Sequence, residues 1–401
     1  MTTHPSREKR PEMLKIIDKI KKVCRNPDYM RMKIRKHLAI RAAGRVLPRR
    51  MIPAPAMVSV VPTLQCNLRC RTCGLHANLS LPDRQPVGTD FRRVMTRVQL
   101  MDVADQIHRM RSGIQISGGE PTLHPDLIPF IRRAAGDYRL VCDMMTNGLL
   151  LGDLATDLLS SNLASMHVSM DGTGGAYDAV RGDGMFRQFD RSLTGFFREK
   201  SRQHADRMKT VAVFTAVPEN QADLPDSVRY AMEIGFDQFL LLHPVRIDMT
   251  HLQANNRVLK DSKDHALWTW GEQLDLTRMD VPALKDAIRK SRDIIAGYPG
   301  RSWRSNPELD IYGFENYYAQ QPVPLELQHP CPAFHLHCVI YPDGSVMPSN
   351  GCYFQSLGNV FETPLKEIWY GPAYHALRQR VRSNGTIPLC TFCFIAYNGC
   401  I

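Results

Sequence analysis

MVSVVPTLQCNLRCRTC, residues 57–73, runs from an apolar segment directly into three cysteines. Residues 57–65 are rich in valine and predict a short β-strand. The cysteines that follow, Cys66, Cys70 and Cys73, have the spacing C-x3-C-x2-C. Because thiolates are strong ligands for zinc and for iron-sulfur clusters, this spacing predicts a metal centre at the end of the strand.

The composition is that of a globular protein. The chain has 401 residues, of which 43% are apolar and 23% charged, so we expect one large α/β domain and a smaller module. No window approaches the roughly 18 apolar residues of a membrane span, and the N-terminus lacks the apolar stretch of a signal peptide. We therefore expect a cytoplasmic protein whose 11 cysteines serve mainly as metal ligands rather than in disulfides.

Short apolar strands alternate with helical segments after residue 53. This alternation predicts parallel strands joined by right-handed crossovers, which form a partial (β/α)6 TIM-like barrel that is open on one side. Functional residues are then expected at the C-terminal ends of the strands. The candidate strands are 57–65, 113–119, 139–147, 164–172, 209–217 and 236–245.

The three cysteines suit an iron-sulfur cluster that has an open position. Three thiolates hold three irons of a [4Fe-4S] cluster and leave the fourth iron for another ligand. The spacing, placed after the first strand, resembles the radical S-adenosylmethionine (radical SAM) superfamily. The resemblance implies that S-adenosylmethionine chelates the open iron and is cleaved to a 5′-deoxyadenosyl radical, which removes a hydrogen atom from a substrate. It also implies an electron donor such as flavodoxin or ferredoxin.

Further motifs strengthen this resemblance. GGEP ends the second strand, TNG ends the third, and the fourth is HVSMDG, followed by AVRGDG. The two glycines lack Cβ atoms, so a ligand is able to approach the backbone there. The resemblance implies that the cofactor is bound by Gly118, Gly119, Glu120, Asn147, Ser169, Asp171 and Arg181.

Two residues of the fourth strand have alternative roles. Asp171 is either a ligand contact or a helix cap. His167 shares the strand face of Ser169 and Asp171, which should look into the barrel lumen. We favour a structural role for His167 over a catalytic one. The position before the third cysteine is Thr72, where many superfamily members have an aromatic residue near the adenine, so the adenine contacts are not assigned.

A second group of cysteines lies near the C-terminus. A turn at 342–344, a Gly-Asn step at 358–359 and the sequence LKEIW at 365–369 accompany them. A C-x2-C pair alone suits zinc, but the whole order resembles the SPASM/twitch extension, which implies one or two auxiliary [4Fe-4S] clusters. We favour two sites, at least one of them incomplete. The expected ligands are Cys331, Cys338, Cys352, Cys390, Cys393 and Cys400. Cys338 and Cys400 are also the first candidates for a hydrogen-donating thiol.

The chain is expected to divide into four parts. These are a basic helical arm (1–52), the core barrel (53–250), a helical connector (251–328) and the auxiliary-cluster module (329–401). The connector holds a helix between Asp280 and Gly297 and a group of aromatic residues that either pack on the barrel or cover a substrate pocket. The aromatic residues are Trp268, Trp270, Trp303, Tyr312, Phe314, Tyr317 and Tyr318.

The basic charge is confined to the arm. Residues 1–50 contain 16 Lys and Arg against 4 Asp and Glu, whereas the rest of the chain has 35 against 36. Two helices, 12–24 and 30–46, are expected there. Their outer face is either an ordinary basic surface or a site of peripheral contact with an anionic membrane, at the inner membrane surface. Nucleic acid is the least favoured partner.

The leading functional prediction is a radical SAM enzyme that oxidises, epimerises or otherwise modifies its substrate. A peptide, a sugar or aminocyclitol, and a lipid all remain open as substrates. The alternative is a non-catalytic iron-sulfur or zinc-binding protein on the same scaffold.

Overall fold

The computed structural model describes most of the chain between residues 27 and 390. The described residues are 27–43, 51–75, 92–244, 253–255, 257–258, 274–309, 313–319, 331–349, 355–385 and 390. The predicted helix 12–24 lies outside these ranges, as do Trp268, Trp270, Tyr312, Cys352, Cys393 and Cys400.

Nine strands form one sheet within the described ranges. Their order in space is β7-β6-β5-β4-β3-β2-β1-β8-β9. Strands β1 to β8 run parallel to their neighbours, and β9 pairs antiparallel with β8. The bounds are β1 Met57–Val60, β2 Gly113–Ile116, β3 Cys142–Thr146, β4 Ser165–Ser169, β5 Lys209–Thr215, β6 Gln238–Leu242, β7 Ser302–Asn306, β8 His337–Ile340 and β9 Val346–Met347.

Helices follow most strands and cover one face of the sheet. Their bounds are α1 Pro27–Ala43, α2 Arg97–Met110, α3 Leu127–Ile131, α4 Ala155–Ser160, α5 Gly174–Arg181, α6 Met185–Arg202, α7 Leu224–Ile234, α8 Val281–Ala296, α9 Phe314–Tyr318, α10 Ala333–Leu336, α11 Leu365–Tyr370 and α12 Pro372–Asn384.

Strand alternation separates the core from the lumen. On β4, Met166 and Val168 are fully buried against the helices, whereas Ser165, His167 and Ser169 are half-buried on the opposite face. This follows from the period of two in a β-strand, in which apolar residues face the helix layer. The open α/β barrel is therefore confirmed, with its polar face toward the lumen.

Three strands, β7, β8 and β9, lie outside the six that the sequence pattern predicted. Strand β7 pairs with β6 inside the segment that we expected to be a helical connector. Strand β8 of the C-terminal module pairs with β1, so the module continues the barrel sheet. The strand that carries the cysteine loop thus lies between β2 and β8.

Helix α1 corresponds to the predicted helix 30–46 but begins earlier, at Pro27, and ends at Ala43. Proline suits the first helical turn because that turn's N–H groups have no partner within the helix. The Arg35 guanidinium holds α1 to the barrel by donating to the Arg111 carbonyl oxygen at 2.7 Å. No helix among the described residues is long and apolar enough to cross a membrane.

The aromatic residues of the connector that are described pack on the barrel. Phe314, Tyr317 and Tyr318 on α9 surround the buried ring of His243, with ring centroids 5.5 to 5.9 Å from it. Trp303 on β7 stacks on Phe239. The packing alternative is therefore correct for these four residues. The predicted helix is α8, which begins after Asp280, whose carboxylate accepts the Ala283 N–H.

Candidate functional site

The cysteine loop leaves β1 at the C-terminal edge of the sheet. Cys66, Cys70 and Cys73 form no disulfide, and all three are half-buried. The Leu68 N–H donates to Cys66 Sγ at 3.4 Å, and the Arg71 N–H donates to the Val180 carbonyl oxygen at 2.9 Å. The second bond fixes the loop to the end of α5. The three thiols are thereby held on one loop above the barrel lumen.

Gly118 and Gly119 lie beneath the chain that enters the cysteine loop. A Cβ atom on Gly119 would be 2.1 Å from the Gln65 carbonyl oxygen, and one on Gly118 would be 2.5 Å from the Thr63 carbonyl oxygen. The Gly119 N–H donates to that Thr63 oxygen at 3.1 Å. The glycines therefore permit a close approach between two segments of this chain.

The Glu120 carboxylate is an internal hydrogen-bond acceptor. It is almost fully buried, with 1% of its surface exposed. Oε1 accepts from the hydroxyls of Thr122 and Thr146, at 2.6 and 2.8 Å, and Oε2 accepts from the Asn147 N–H at 2.7 Å. Glu120 therefore joins the ends of β2 and β3 and positions their backbone. Sequence reasoning missed this use of Thr146, although it is part of the TNG motif.

The Asn147 side chain bridges the end of β3 and the cysteine loop. Its Nδ2 donates to Asn67 Oδ1 at 2.7 Å and lies 4.0 Å from Cys66 Sγ. Its Oδ1 accepts the Leu149 N–H, which fixes the side-chain orientation. Asn67 stands between the first two cysteines, and its contact with Asn147 was not predicted. Asn147 is thus in direct contact with the predicted metal site.

Arg181 and Asp171 form a buried ion pair beside Cys70. Arg181 Nη2 donates to Asp171 Oδ2 at 2.6 Å, and Nη1 lies 3.7 Å from Cys70 Sγ. Asp171 Oδ1 also accepts the Thr215 N–H at 2.8 Å. Thr173, not Asp171, occupies the N-cap position of α5, so the capping role considered for Asp171 is wrong.

The charges around the cysteines are interdependent. Burial raises the pKa values of the Cys66 and Cys70 thiols, and the Arg181 guanidinium opposes that rise at Cys70. Burial would lower the pKa of Arg181, but Asp171 and Cys70 outweigh it and raise that pKa. Arg181 is therefore a permanent positive charge beside a thiol that needs stabilisation as a thiolate.

The loop suits an iron-sulfur cluster in the chemistry of its donors. Three half-buried thiols adjoin a buried cation, and Arg181 Nε has no hydrogen-bond partner within the described chain. An anionic group bound there would supply that partner. Among the described residues, no group of three or more His, Cys, Asp or Glu side chains is close enough together to hold a metal ion. Ser169 is half-buried on the lumen side at the end of β4.

The described C-terminal cysteines lie in two environments. Cys331 and Cys390 are half-buried and pack against Phe334, Leu377 and Val381. Cys338 on β8 is fully buried in the main core, and burial raises the pKa of its thiol to about 12.

The position of Cys338 excludes it as a hydrogen donor to a substrate in the lumen. Its neighbour His337 faces the lumen, with Nε2 2.8 Å from the Ser59 hydroxyl, so Cys338 points to the helix side. Nearby, the Arg378 guanidinium is buried, and its Nη2 has no hydrogen-bond partner within the described ranges. This cation suits an anionic auxiliary cluster near Cys331 and Cys338.

Two family models match the chain. The Radical SAM superfamily model matches residues 60–231, which include the cysteine loop and strands β2 to β5. The model of the SPASM iron-sulfur cluster-binding domain matches residues 331–394, which include β8, β9 and α12.

Individual relatives agree with these matches. Pre-heme d1 synthase of Dinoroseobacter shibae is 25% identical over 323 residues, which are 77% of this chain and 72% of that protein. Mycofactocin maturase MftC of Mycobacterium ulcerans is 32% identical over 145 residues, or 35% of this chain and 36% of its own. The fold is similar to that of Streptococcus suis SuiB bound to its precursor peptide SuiA, with a TM-score of 0.53, 16% identity and coverage of 84% of this chain and 71% of SuiB.

The three-cysteine loop on the first barrel strand and the C-terminal cysteine block thus both coincide with a family match. The named relatives are enzymes, which favours catalysis over the non-catalytic alternative. The chain belongs to the radical SAM superfamily and is a SPASM-type radical SAM enzyme, with S-adenosylmethionine, a [4Fe-4S] cluster and auxiliary iron-sulfur clusters as its cofactors.

Proposed function

We propose that the enzyme oxidises or otherwise modifies a peptide that enters the open barrel lumen. The observation that carries this proposal is the position of the three-cysteine loop. It stands at the C-terminal rim of a lumen that is lined by half-buried residues on β3, β4 and β6. When bound, the cluster and S-adenosylmethionine supply the radical that removes a substrate hydrogen.

The residues of this chain hold and orient those groups. Cys66, Cys70 and Cys73 would bind three irons, and Arg181 would stabilise negative charge beside Cys70. We further propose that Gly118, Gly119, Asn147 and Ser169 contact S-adenosylmethionine. Glu120 and Asp171 are occupied by protein donors, so we assign them the positioning of the neighbouring backbone and of Arg181.

The peptide as substrate is supported by two relatives. One is a mycofactocin maturase, and SuiB has a solved complex with a precursor peptide. Pre-heme d1 synthase favours a second candidate, a precursor of a heme-like cofactor, because its alignment covers 77% of this chain.

Anaerobic reconstitution tests the enzymatic proposal. The reduced holoenzyme should cleave S-adenosylmethionine to methionine and 5′-deoxyadenosine, and it should do so faster when its substrate is added. Small peptides and tetrapyrrole precursors, added separately, distinguish the two substrate candidates. Absence of cleavage in a protein that contains its iron would overturn the proposal.

Alanine substitution at Cys66, Cys70 and Cys73 locates the reaction. The triple variant should lose cleavage and about four irons per chain while it retains auxiliary iron. Cys142→Ala is the matched control, since Cys142 is a free thiol buried on β3, outside both cysteine groups. Equal loss of cleavage in the control would contradict the assignment of the loop.

The arm suggests peripheral contact with an anionic membrane. Ile34 and Leu38 are 51% and 47% exposed on the outward side of α1, where Lys33, His37 and Arg41 are also exposed. Apolar side chains bordered by basic ones suit the interface of an anionic bilayer. A small electron donor such as flavodoxin or ferredoxin remains part of the proposal, because cluster reduction needs one.

A further inference from the structure

Part of the barrel lumen is accessible, and its polar residues are not all engaged. On β6, Phe239 and Leu241 are fully buried on the helix side, whereas Gln238, Leu240 and Leu242 are half-buried on the lumen side. Strand β4 has the same asymmetry. The lumen side is thus partly exposed on β4 and β6, although Val211 and Val213 on the intervening β5 are only 4% exposed. Polar groups on β4 are therefore positioned to meet a substrate.

His167 projects into this lumen and is held through one ring nitrogen. The Ser165 hydroxyl donates to Asp143 Oδ1 at 2.7 Å and lies 3.3 Å from His167 Nε2. A hydroxyl has one proton to donate, so with Asp143 ionised the Nε2 atom must carry the hydrogen that Ser165 accepts. Nδ1 is then the unprotonated nitrogen of the neutral ring. It has no hydrogen-bond partner within the part of the chain that the structure describes.

His243 shows what a structural histidine looks like in the same barrel. Its Nδ1 lies 2.8 Å from the Tyr318 hydroxyl, and its Nε2 lies 3.1 Å from the Ser305 hydroxyl. Its ring is buried, with 3% of the residue exposed. Both nitrogens of His243 are therefore used internally, whereas His167 offers one of its two to the lumen.

Burial, the interaction between His167 and Asp143, and the charge of Arg304 influence the protonation of His167 and Asp143. Burial lowers the pKa of His167, Asp143 on β3 opposes that shift, and Arg304 on β7 adds to it. Burial also raises the pKa of Asp143. The neighbouring position on β5 is Val211, which does not titrate. The proton affinities of imidazole and carboxylate thus approach each other, as a relay between them requires.

We propose that His167 is a base of the active site that accepts a proton from a hydroxyl or N–H group of the substrate. The proton binds to Nδ1 as the substrate O–H or N–H bond breaks. The Nε2 proton passes to Ser165 Oγ, and the Ser165 proton passes to Asp143 Oδ1. The net result is a substrate that has lost one proton and a neutral Asp143.

The inference deepens the proposed function and rests on it, because it requires the substrate to enter the lumen. It also narrows the substrate class. The hydrogen-bearing carbon that reacts should adjoin an O–H or N–H group, since such a group becomes more acidic when its carbon is a radical. A purely hydrocarbon segment would leave His167 without a partner.

Chemical modification of the holoenzyme tests whether the half-buried His167 is accessible. Diethyl pyrocarbonate reacts with accessible, unprotonated imidazole, and mass spectrometry of peptides locates the adduct. We expect His167 to react and His243, the matched control, to remain unmodified in the folded protein. Protection of His167 to the level of His243 would overturn the inference.

Nitrogen-15 NMR of histidine-labelled holoenzyme tests the relay and the ligand class. The wild type should carry its proton on Nε2, and Ser165→Ala should lose this preference. Asp143→Asn should lower the pKa of His167, whereas Arg304→Gln should raise it. N-methylacetamide, which has an N–H, should shift the Nδ1 resonance, and N,N-dimethylacetamide, which has none, should not. A proton on Nδ1 in the wild type, or equal shifts with both amides, would exclude the relay.

The measurements distinguish the inference about His167 from the proposed function on which it rests. S-adenosylmethionine cleavage is measured on the same wild-type preparation. If S-adenosylmethionine is cleaved but His167 does not react, the proposed function stands and His167 is not the base. If His167 reacts and has the predicted tautomer but S-adenosylmethionine is not cleaved, the proposed function is wrong.

Discussion

Arg181 Nη2 lies 2.6 Å from Asp171 Oδ2, and the other terminal nitrogen of the same guanidinium lies 3.7 Å from Cys70 Sγ. The ion pair connects the end of β4 to the cysteine loop through the last residue of α5. Arg181 and Asp171 are 8% and 1% exposed. A positive charge at a predicted iron ligand is thus fixed in position by a carboxylate that solvent does not reach.

Asp171→Ala should be strongly destabilising. It leaves the Arg181 charge buried without its carboxylate, which typically costs about 3–5 kcal/mol in free energy of unfolding. Urea unfolding measures the change. Asp157→Ala is the matched control, because the Asp157–Arg132 pair is about half exposed and should contribute less than about 1 kcal/mol. Similar losses in both variants would contradict the special role of the buried pair.

Gly119→Ala should displace the cysteine loop. The new methyl group would overlap the Gln65 carbonyl oxygen, and misplacing reacting groups by about 1 Å costs roughly 100-fold in rate. We expect loss of iron at the first site and a comparable fall in S-adenosylmethionine cleavage. Gly175→Ala, where a Cβ meets no atom within 4 Å, should behave as wild type. Full cleavage in Gly119→Ala would show that the loop adapts.

His243 should make the enzyme less stable in acid. Burial lowers the pKa of His243 from 6.5 to about 3, so below pH 6.5 the unfolded chain takes up a proton that the folded chain does not. The stability that the unprotonated His243 contributes is complete above pH 6.5 and is lost as the pH falls toward 3. Between pH 7 and pH 5 the loss is about 2 kcal/mol.

Comparison of two glutamine variants isolates that contribution. In urea unfolding, the loss of stability between pH 7 and pH 5 should be smaller in His243→Gln than in the wild type. His204→Gln makes the same change at an exposed histidine and should keep the wild-type difference. An unchanged pH dependence in His243→Gln would mean that its ring is protonated in the folded state.

The outward face of α1 should carry any membrane affinity. Flotation with anionic phosphatidylglycerol vesicles should recover the wild type, and added salt should weaken binding. Ile34→Glu with Leu38→Glu should reduce it roughly tenfold or more, because burying each side chain contributes about 1.5–3 kcal/mol. Val98→Glu is the control, since Val98 is 80% exposed on α2. Equal binding by the double variant and the wild type would exclude this surface.

The strand ends and the first cysteine site were predictable because their signals are local. Strand β4 alternates apolar and polar residues, and Cys66, Cys70 and Cys73 lie within eight consecutive positions. Strand β7 was missed because SWRSN contains one apolar residue and lies at the sheet edge, where its lumen side is exposed. With Trp303 as its one apolar residue, the segment lacks the apolar/polar alternation that identifies a half-buried strand.

The internal role of Glu120 was not predictable from its motif. Its acceptor sites are filled by donors on β3 and on the turn after β2, and these meet only when the register of the two strands is known. Similarly, the free nitrogen of His167 depends on Ser165, which lies on the same strand, and on Asp143, which lies on the neighbouring strand β3. Sequence alone identified the residue types but not which of their atoms remain available.

The pairing of β8 with β1 has a consequence for biogenesis. Ser59 on β1 contacts His337 on β8 across 278 positions of sequence, so most of the polypeptide must be synthesised before β1 gains its second neighbour. Such distant pairings form slowly, and until then the edge of the strand carrying the cysteine loop is exposed to misassembly. Iron and sulfide that arrive before β8 has paired would therefore meet a cysteine loop whose strand has only one of its two neighbours.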